Sequence, residues 1–152
     1  MAAGTTKAHI SVHSTTFANK GNIPQHYGCD GEGVNPGLQI DGIPPATESV
    51  VLIMDDPDAP GGLFTHWLVW NIPPGEDIAE NSNPGISGTN SAGKTGYHPP
   101  CPPNGRHRYY FRVFALNTPL NLPAGSNRNT LEAAMQNHII ARAELMGYYE
   151  KA

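Results

Sequence analysis

The sequence is short of charge, of cysteine and of long apolar runs, and each shortage closes off a class of protein. Only 14% of its 152 residues are charged, and the formal net charge is -4. A nucleic-acid partner calls for a basic footprint that neutralises phosphates, and this chain has none. An acidic solvating tail would need far more carboxylates. No apolar stretch approaches the roughly 18 residues that span a bilayer, so no transmembrane segment is expected. Met1-Ala2-Ala3-Gly4-Thr5-Thr6 carries no apolar core of a secretory signal, and a cytoplasmic location is the expectation. Cys29 and Cys101 are the only cysteines. Two thiols cannot build a four-thiolate zinc site, and their spacing is not that of a redox pair. One disulfide is open to them if they approach closely, but in a cytosolic protein free thiols are the expectation.

Glycine and proline, by contrast, are plentiful. The 17 Gly and 15 Pro make up about a fifth of the chain, below the roughly 25–30% that marks low complexity. Apolar runs persist between these breakers. The length suffices for one domain with a real core, so residues 1–152 read as a single loop-rich globular domain.

Lys7 to His13 alternates, with Ala8, Ile10 and Val12 on one face, and predicts a half-buried strand. His9 and His13 then share the other face. That placement could suggest a metal, but a solvated strand face is the preferred reading. Turn chemistry fills Asn19 to Gly37, and a short strand follows at Leu38-Gln39-Ile40. Ser49 to Met54 is β-branched and apolar without alternation, as in a strand buried on both faces. His66 to Ile72 reads likewise, with Leu68, Trp70 and Ile72 opposed to Trp67 and Val69. His107 to Leu116 is the clearest strand, placing Tyr109, Phe111, Val113 and Ala115 on the face of His107. Near the end, Asn129 and Glu132 resemble a capping box. Leu131, Ala134, Met135, His138, Arg142 and Leu145 keep helical spacing as far as Gly147. His138, on the apolar side, is expected as a core or interface histidine. The sum is a mostly all-β fold, a sandwich of two antiparallel sheets with a C-terminal helix.

Residues 73–106 form a connection with seven Pro and six Gly. Such a long loop in a compact domain is usually functional or disordered, and well-structured neighbours pin this one at both ends. Inside it, Gly88-Thr89-Asn90-Ser91-Ala92-Gly93-Lys94-Thr95 matches a phosphate-loop pattern in full. That pattern works only between a strand and a helix, and Pro99-Pro100 forbid the helix. No nucleophile elbow is present, because Gly85-Ile86-Ser87-Gly88 falls one residue short. Cys101 is the remaining nucleophile candidate. Its flanking prolines keep it from a helix N-terminus, where thiol pKa values are lowered.

The polar residues that matter cluster at strand ends. The run Val51-Leu52-Ile53-Met54 leads straight into Asp55-Asp56-Pro57-Asp58-Ala59-Pro60, and Phe64-Thr65-His66 opens the returning strand. Antiparallel pairing brings Asp56 and His66 to one mouth of a sheet. His107 and Tyr109 project from the start of a third strand. A carboxylate stabilises a charged imidazole, so two histidines with a phenol and loop N–H groups would make a small anion pocket. Two alternatives stay open: separate caps at strand ends, or a metal held by two His and one Asp without the usual short spacing. No cofactor is called for.

These residues also carry a resemblance. Asp56-Pro57-Asp58-Ala59-Pro60, Thr65-His66-Trp67, Asn71-Ile72-Pro73, Gly96-Tyr97, Cys101-Pro102-Pro103-Asn104-Gly105 and His107-Arg108-Tyr109 resemble the phosphatidylethanolamine-binding protein family, in its bacterial and archaeal Raf-kinase-inhibitor-like branch. The resemblance implies a β-sandwich with a small cavity lined by Asp56, His66, His107 and Tyr109. Pro60, Phe64 and the turn Pro100-Cys101-Pro102 would be its wall and rim. It implies a ligand such as phosphate, a phosphorylethanolamine-like headgroup or acetate, and frequent homodimers. In some members it implies inhibition of a serine protease or kinase. Three readings follow: an anion-binding module rather than an enzyme, a protease- or kinase-inhibiting module using the 73–106 loop, and a weak hydrolase using Asp56 and His66. The chain departs from the branch at His98-Pro99, where two glycines are usual. That change would narrow the mouth or add an imidazole to it.

Overall fold

The computed structural model describes residues 9–152. Its strands are β1 (Ser11–His13), β2 (Gly21–Asn22), β3 (Gln39–Asp41), β4 (Ser49–Asp56), β5 (Phe64–Ile72), β6 (Ile86–Ser87), β7 (Arg106–Leu116) and β8 (Ile139–Glu150). Among the described residues one α-helix, α1 (Arg128–Met135), lies between β7 and β8, and a single 3-10 turn covers Gln25–Tyr27. The strands form a six-stranded sheet in the order β2-β8-β7-β4-β5-β6 and a two-stranded sheet of β1 and β3. Every pair is antiparallel except β2 with β8, which is parallel.

The large sheet has an apolar cluster on each face. On one face Leu52, Met54, Trp67, Val69, Phe111, Val113 and Leu145 meet Val12 and Ile40 of the small sheet. On the other, Val51, Ile53, Leu68 and Trp70 meet Leu131 and Met135 of α1. β4 lies at the centre, so both its faces are covered, and all eight of its residues are buried. That is why its run shows no alternation. The expected two-sheet, mostly-β architecture with a helix near the C-terminal end is what the structure shows. The first strand was expected to begin at Lys7, which lies outside the described residues. Within them β1 presents His13 to solvent, as expected of its polar face.

Three expectations are overturned. Helical spacing extended the last helix to Gly147, but α1 ends at Met135, residues 136–138 turn, and β8 begins at Ile139. Ala141-Arg142-Ala143-Glu144 suits a helix by propensity. However, β7 offers a full antiparallel template, pairing from Arg106↔Glu150 to Leu116↔Ile139. Burial against that template outweighs a few tenths of a kcal/mol per residue in propensity. Gly147 is therefore a packing site rather than a helix stop. A Cβ there would lie 2.6 Å from Ile23 Cγ1 and 2.9 Å from Phe17 Cε2. The cap also moves: Asn127, not Asn129, accepts the Thr130 N–H at 2.9 Å, and Glu132 pairs with Arg128 at 3.1 Å. His138, expected in the core or at an interface, is half-buried and bonds the Asn117 side chain through Nδ1 at 2.9 Å.

The second concerns β5. Ile72 joins Trp67 and Val69 rather than Leu68 and Trp70. Val50 pairs with Ile72 and Leu52 with Val69, so β5 carries one extra residue there. Asn71 adopts φ 56° at this bulge. Its side chain is held by both the N–H and the carbonyl of Leu120, at 2.8 Å each. A one-residue bulge moves every later side chain to the other face.

The third is the thiol state. Cys29 and Cys101 form a disulfide, with Cα atoms 5.4 Å apart. The Cys29 N–H also donates to the Pro100 carbonyl at 3.0 Å. Compartment reasoning favoured free thiols, but two loops distant in sequence meet beside β7 and β8, and that approach could not be read from spacing.

The 73–106 connection is ordered by cross-links. Leu38 bridges Ile78, Thr89 bridges Thr95, and β6 pairs with β5. The phosphate-loop match is a turn organised by Asn90. Its Oδ1 accepts the N–H groups of Ala92 and Lys94 at 2.9 and 3.2 Å, and its Nδ2 donates to the Gly96 carbonyl at 2.9 Å. No helix follows it.

Candidate functional site

Asp55, Asp56 and Asp58 leave β4 in three directions. Asp55 points to the helix side and is fully buried. It accepts from Arg112 Nε at 3.0 Å and from Arg128 Nη1 at 2.9 Å, and the same Nη1 reaches Thr65 Oγ1 at 3.0 Å. Asp58 takes a fork from Arg108, with Nη2 at 2.8 Å and Nε at 3.0 Å, plus the Arg108 backbone N–H at 2.9 Å. Those bonds hold its carboxyl down at about 2. Asp56, on the small-sheet side, accepts the Asp58 N–H at 2.7 Å on Oδ1 and the His107 Nδ1–H at 2.8 Å on Oδ2.

The carboxylate–imidazole pair is thus Asp56–His107, not Asp56–His66. A register shift between Met54 and Asp55 sets Asp56 opposite Phe64 and Asp55 opposite Thr65. His66 drops out of that pairing. Its Nδ1 donates to the His98 carbonyl at 2.7 Å, and the His98 N–H returns a bond to the His66 carbonyl at 2.9 Å. Burial pushes the His66 imidazole down to about 4 despite that carbonyl and the carboxylates of Asp56 and Asp55. The expected second charged histidine is a neutral one. Burial also lowers the neighbouring His98, with Lys94 adding to the effect.

Around these groups lies a pocket of about 180 Å³. Of the residues named from the sequence, Asp56, Pro60, Phe64, His66, Cys101, Pro102, His107 and Tyr109 line it. Pro100 does not: it is buried, with its carbonyl turned to Cys29. Ala59, His98 and Pro103 line it as well and were not among the expected residues. His98 was signalled by its departure from glycine; Ala59 and Pro103 had no chemical signal of their own. The ring of His66 sits 4.7 Å from Phe64, 5.3 Å from Tyr109 and 5.5 Å from His98, centroid to centroid.

Three polar side chains meet at this space. Among the described residues, His66 Nε2 and His107 Nε2 have no hydrogen-bond partner in the protein, whereas the Tyr109 hydroxyl lies within hydrogen-bond reach of the Asp56 carboxylate. His66, His107 and Tyr109 are each at most 8% exposed. All three residues line the pocket. Burial and the nearby Asp56 carboxylate push the Tyr109 phenol up, so it keeps its proton. No serine or threonine lines the pocket, and its one sulfur is in the disulfide. Among the described residues no group of three or more His, Cys, Asp or Glu is placed to hold a metal ion. No described helix is long and apolar enough to cross a membrane.

A mostly-β protein with a small pocket at one end of its large sheet, walled by proline and phenylalanine around an Asp–His pair, is the class that fold and site define. The chain belongs to the phosphatidylethanolamine-binding protein family, whose model matches residues 13–150. It is 48% identical over 149 residues to a UPF0098 protein of Pyrococcus abyssi, covering 91% of this chain and 84% of that one. Among solved structures it is similar to a phosphatidylethanolamine-binding protein homolog of Chlamydia trachomatis, with a TM-score of 0.93 and 41% identity over 95% of this chain and 99% of that chain. Escherichia coli YbcL, described as a member of the mammalian family, gives a TM-score of 0.87 and 27% identity over 95% of this chain and 100% of that chain.

Proposed function

We propose that the pocket binds a small anion, a phosphate or a phosphoester headgroup, and that the protein acts through binding rather than through chemistry. The observation that carries this reading is the convergence of His66 Nε2 and His107 Nε2, neither with a competing partner among the described residues, on one pocket that Tyr109 also lines. Asp56 is the positioning residue, because its Oδ2 keeps the proton on His107 Nδ1 and turns Nε2 inward. The apolar rim of Pro60, Phe64 and Pro102 lowers the local dielectric, which strengthens each polar contact made inside. A covalent route to hydrolysis would need a serine, threonine or thiol nucleophile that the lining does not supply, and the Asp56–His66 pair that would activate a water does not form, since Asp56 bonds His107 and His66 bonds the His98 carbonyl. We also propose the homodimer that the resemblance implies, and light scattering after gel filtration tests it: a monomer mass overturns it.

Each hydrogen bond to a charged group contributes about 1.5–3 kcal/mol, so a few of them, less the cost of association, support millimolar to micromolar affinity. Titration with inorganic phosphate, followed by imidazole NMR, tests the site. His66 and His107 signals are expected to move together, and His107→Ala to weaken binding by at least about tenfold. Unmoved signals at about millimolar phosphate would sink the reading.

A further inference from the structure

We infer that the protein pairs with a second copy of itself along the open edge of β8, the two strands running antiparallel about a two-fold axis at Ala143. The inference rests on the homodimer proposed above and adds the surface that makes it; it is independent of the anion pocket.

β2 covers only Gly147 and Tyr148 of β8, so the rest of that strand lies at the margin of the large sheet. Backbone groups alternate in direction along a strand. The Lys20 N–H donates to the Met146 carbonyl at 2.6 Å, the Met146 N–H donates to Asn19 Oδ1 at 3.0 Å, and the Ile23 N–H donates to the Tyr148 carbonyl at 2.7 Å. The even-numbered residues therefore direct N–H and C=O away from β7. Pairing with β7 is regular from Ala141 to Glu150, so Arg142 and Glu144 do the same. Among the described residues nothing bonds those outward groups. Unpaired edge groups are a template for another strand, and β8 contains neither the Pro nor the Lys that blunts such an edge.

Around Ala143 the sequence is a chemical palindrome. Arg142 and Glu144 flank it, Ala141 and Leu145 come next, then Ile140 and Met146. Outward residues must meet outward residues, so the axis of a symmetric antiparallel pair falls on a residue. An axis at Arg142 or at Glu144 would set like charges opposite each other, which is destabilising. At Ala143 it sets Arg142 opposite the partner's Glu144 and Glu144 opposite the partner's Arg142, each pair exchanging both backbone bonds. Ala143 then meets its own copy at the non-bonded position, where side chains come closest, and a methyl group fits there. Arg142 has no carboxylate partner among the described residues and lies over the Phe114 ring at 5.7 Å. Glu144 takes Arg112 Nη1 on Oε1 at 2.9 Å, which leaves Oε2 for a second guanidinium. Asn19 and Lys20 hold Met146 and end the ladder on one side, and the bulge at Ile140 ends it on the other. So short a contact predicts a dimer that dissociates in the micromolar range.

Charge reversal tests the register. Arg142→Glu and Glu144→Arg each place like charges opposite one another at both pairs, so each variant alone should dissociate at least about tenfold more readily than the wild type, read by light scattering over a concentration series. Mixed in equal amounts, the two variants should form a heterodimer within about threefold of wild-type affinity, because each pair again joins a cation and a carboxylate. A variant that merely misfolds would not be rescued in this way. In the wild type, hydrogen exchange at the Arg142 and Glu144 amides should slow as the dimer fills, since both amides are bonded only across the interface. A wild type that stays monomeric at about millimolar protein would overturn the homodimer and this interface together. A dimer that survives either variant unweakened, a loss that mixing does not restore, or a dimer whose Arg142 and Glu144 amides exchange freely would overturn the interface and leave the homodimer standing.

Discussion

Asp55, Asp56 and Asp58 lie within four positions of one another, yet their surroundings give them unrelated work. Asp55 is a core ion-pair partner, Asp58 ties a loop to Arg108, and Asp56 orients His107 in the pocket. At the same scale, His66 couples stability to pH. Its folded value of about 4 lies below its ordinary 6.5, so on acidification the unfolded chain binds the proton first. Its contribution is whole above about pH 6.5 and drains away as pH falls toward about 4, by roughly 3 kcal/mol. Urea denaturation across that range should show a shallower slope in His66→Gln than in the wild type. Identical slopes would mean that the imidazole is not held neutral.

At the scale of elements, the Asp55 cluster joins three parts of the fold. Arg112 comes from β7, Arg128 from the start of α1 and Thr65 from β5, all meeting at the end of β4. Arg112 also spans to Glu144 on β8 at 2.9 Å and lies over the Tyr110 ring at 4.4 Å. Removing the shared carboxylate leaves two guanidinium groups desolvated and unpaired at one end. Asp55→Ala should therefore cost about 3–5 kcal/mol, with the largest loss of hydrogen-exchange protection in α1. A loss below about 1 kcal/mol would show that water replaces the carboxylate without penalty. The bulge at Asn71 and the shift at Met54–Asp55 also belong to this scale. Each adds a single residue, and each decides which side chains face the pocket or the helix.

For the whole molecule, the disulfide closes the largest covalent loop and sits on the pocket rim. Cys29 and Cys101 are separated by 72 positions. Cross-linking a loop of that length restricts the unfolded chain by an amount worth about 2–4 kcal/mol. The double variant Cys29→Ser with Cys101→Ser should lower the urea midpoint accordingly, and a reductant should do the same to the wild type. An unchanged midpoint in both would mean that the bond adds nothing to the folded state. Because Cys101 and Pro102 line the pocket, phosphate affinity should fall in the same variant while the Asp56–His107 pair persists.

Strand identity was legible because burial writes itself into hydrophobic pattern. The unbroken run at β4 announced a central strand, and the parity of Tyr109, Phe111 and Val113 named the inner face of β7. The pocket's location was legible for the same reason, since Asp56, His66, His107 and Tyr109 stand at strand ends. Partnership was not. Which imidazole meets Asp56 depends on one bulge, which leaves no mark in residue type. Whether Ala141 to Glu144 coils or extends depends on the free edge of β7, a long-range offer that local propensity cannot see. The Cys29–Cys101 bond and the neutral state of His66 likewise arise from atoms brought together across the fold. Composition and periodicity thus determined the architecture and set Asp56, His66, His107 and Tyr109 at strand ends. Tertiary structure alone decided who bonds whom there, because hydrogen bonds and desolvation depend on ångström-scale distances that the order of residues does not encode.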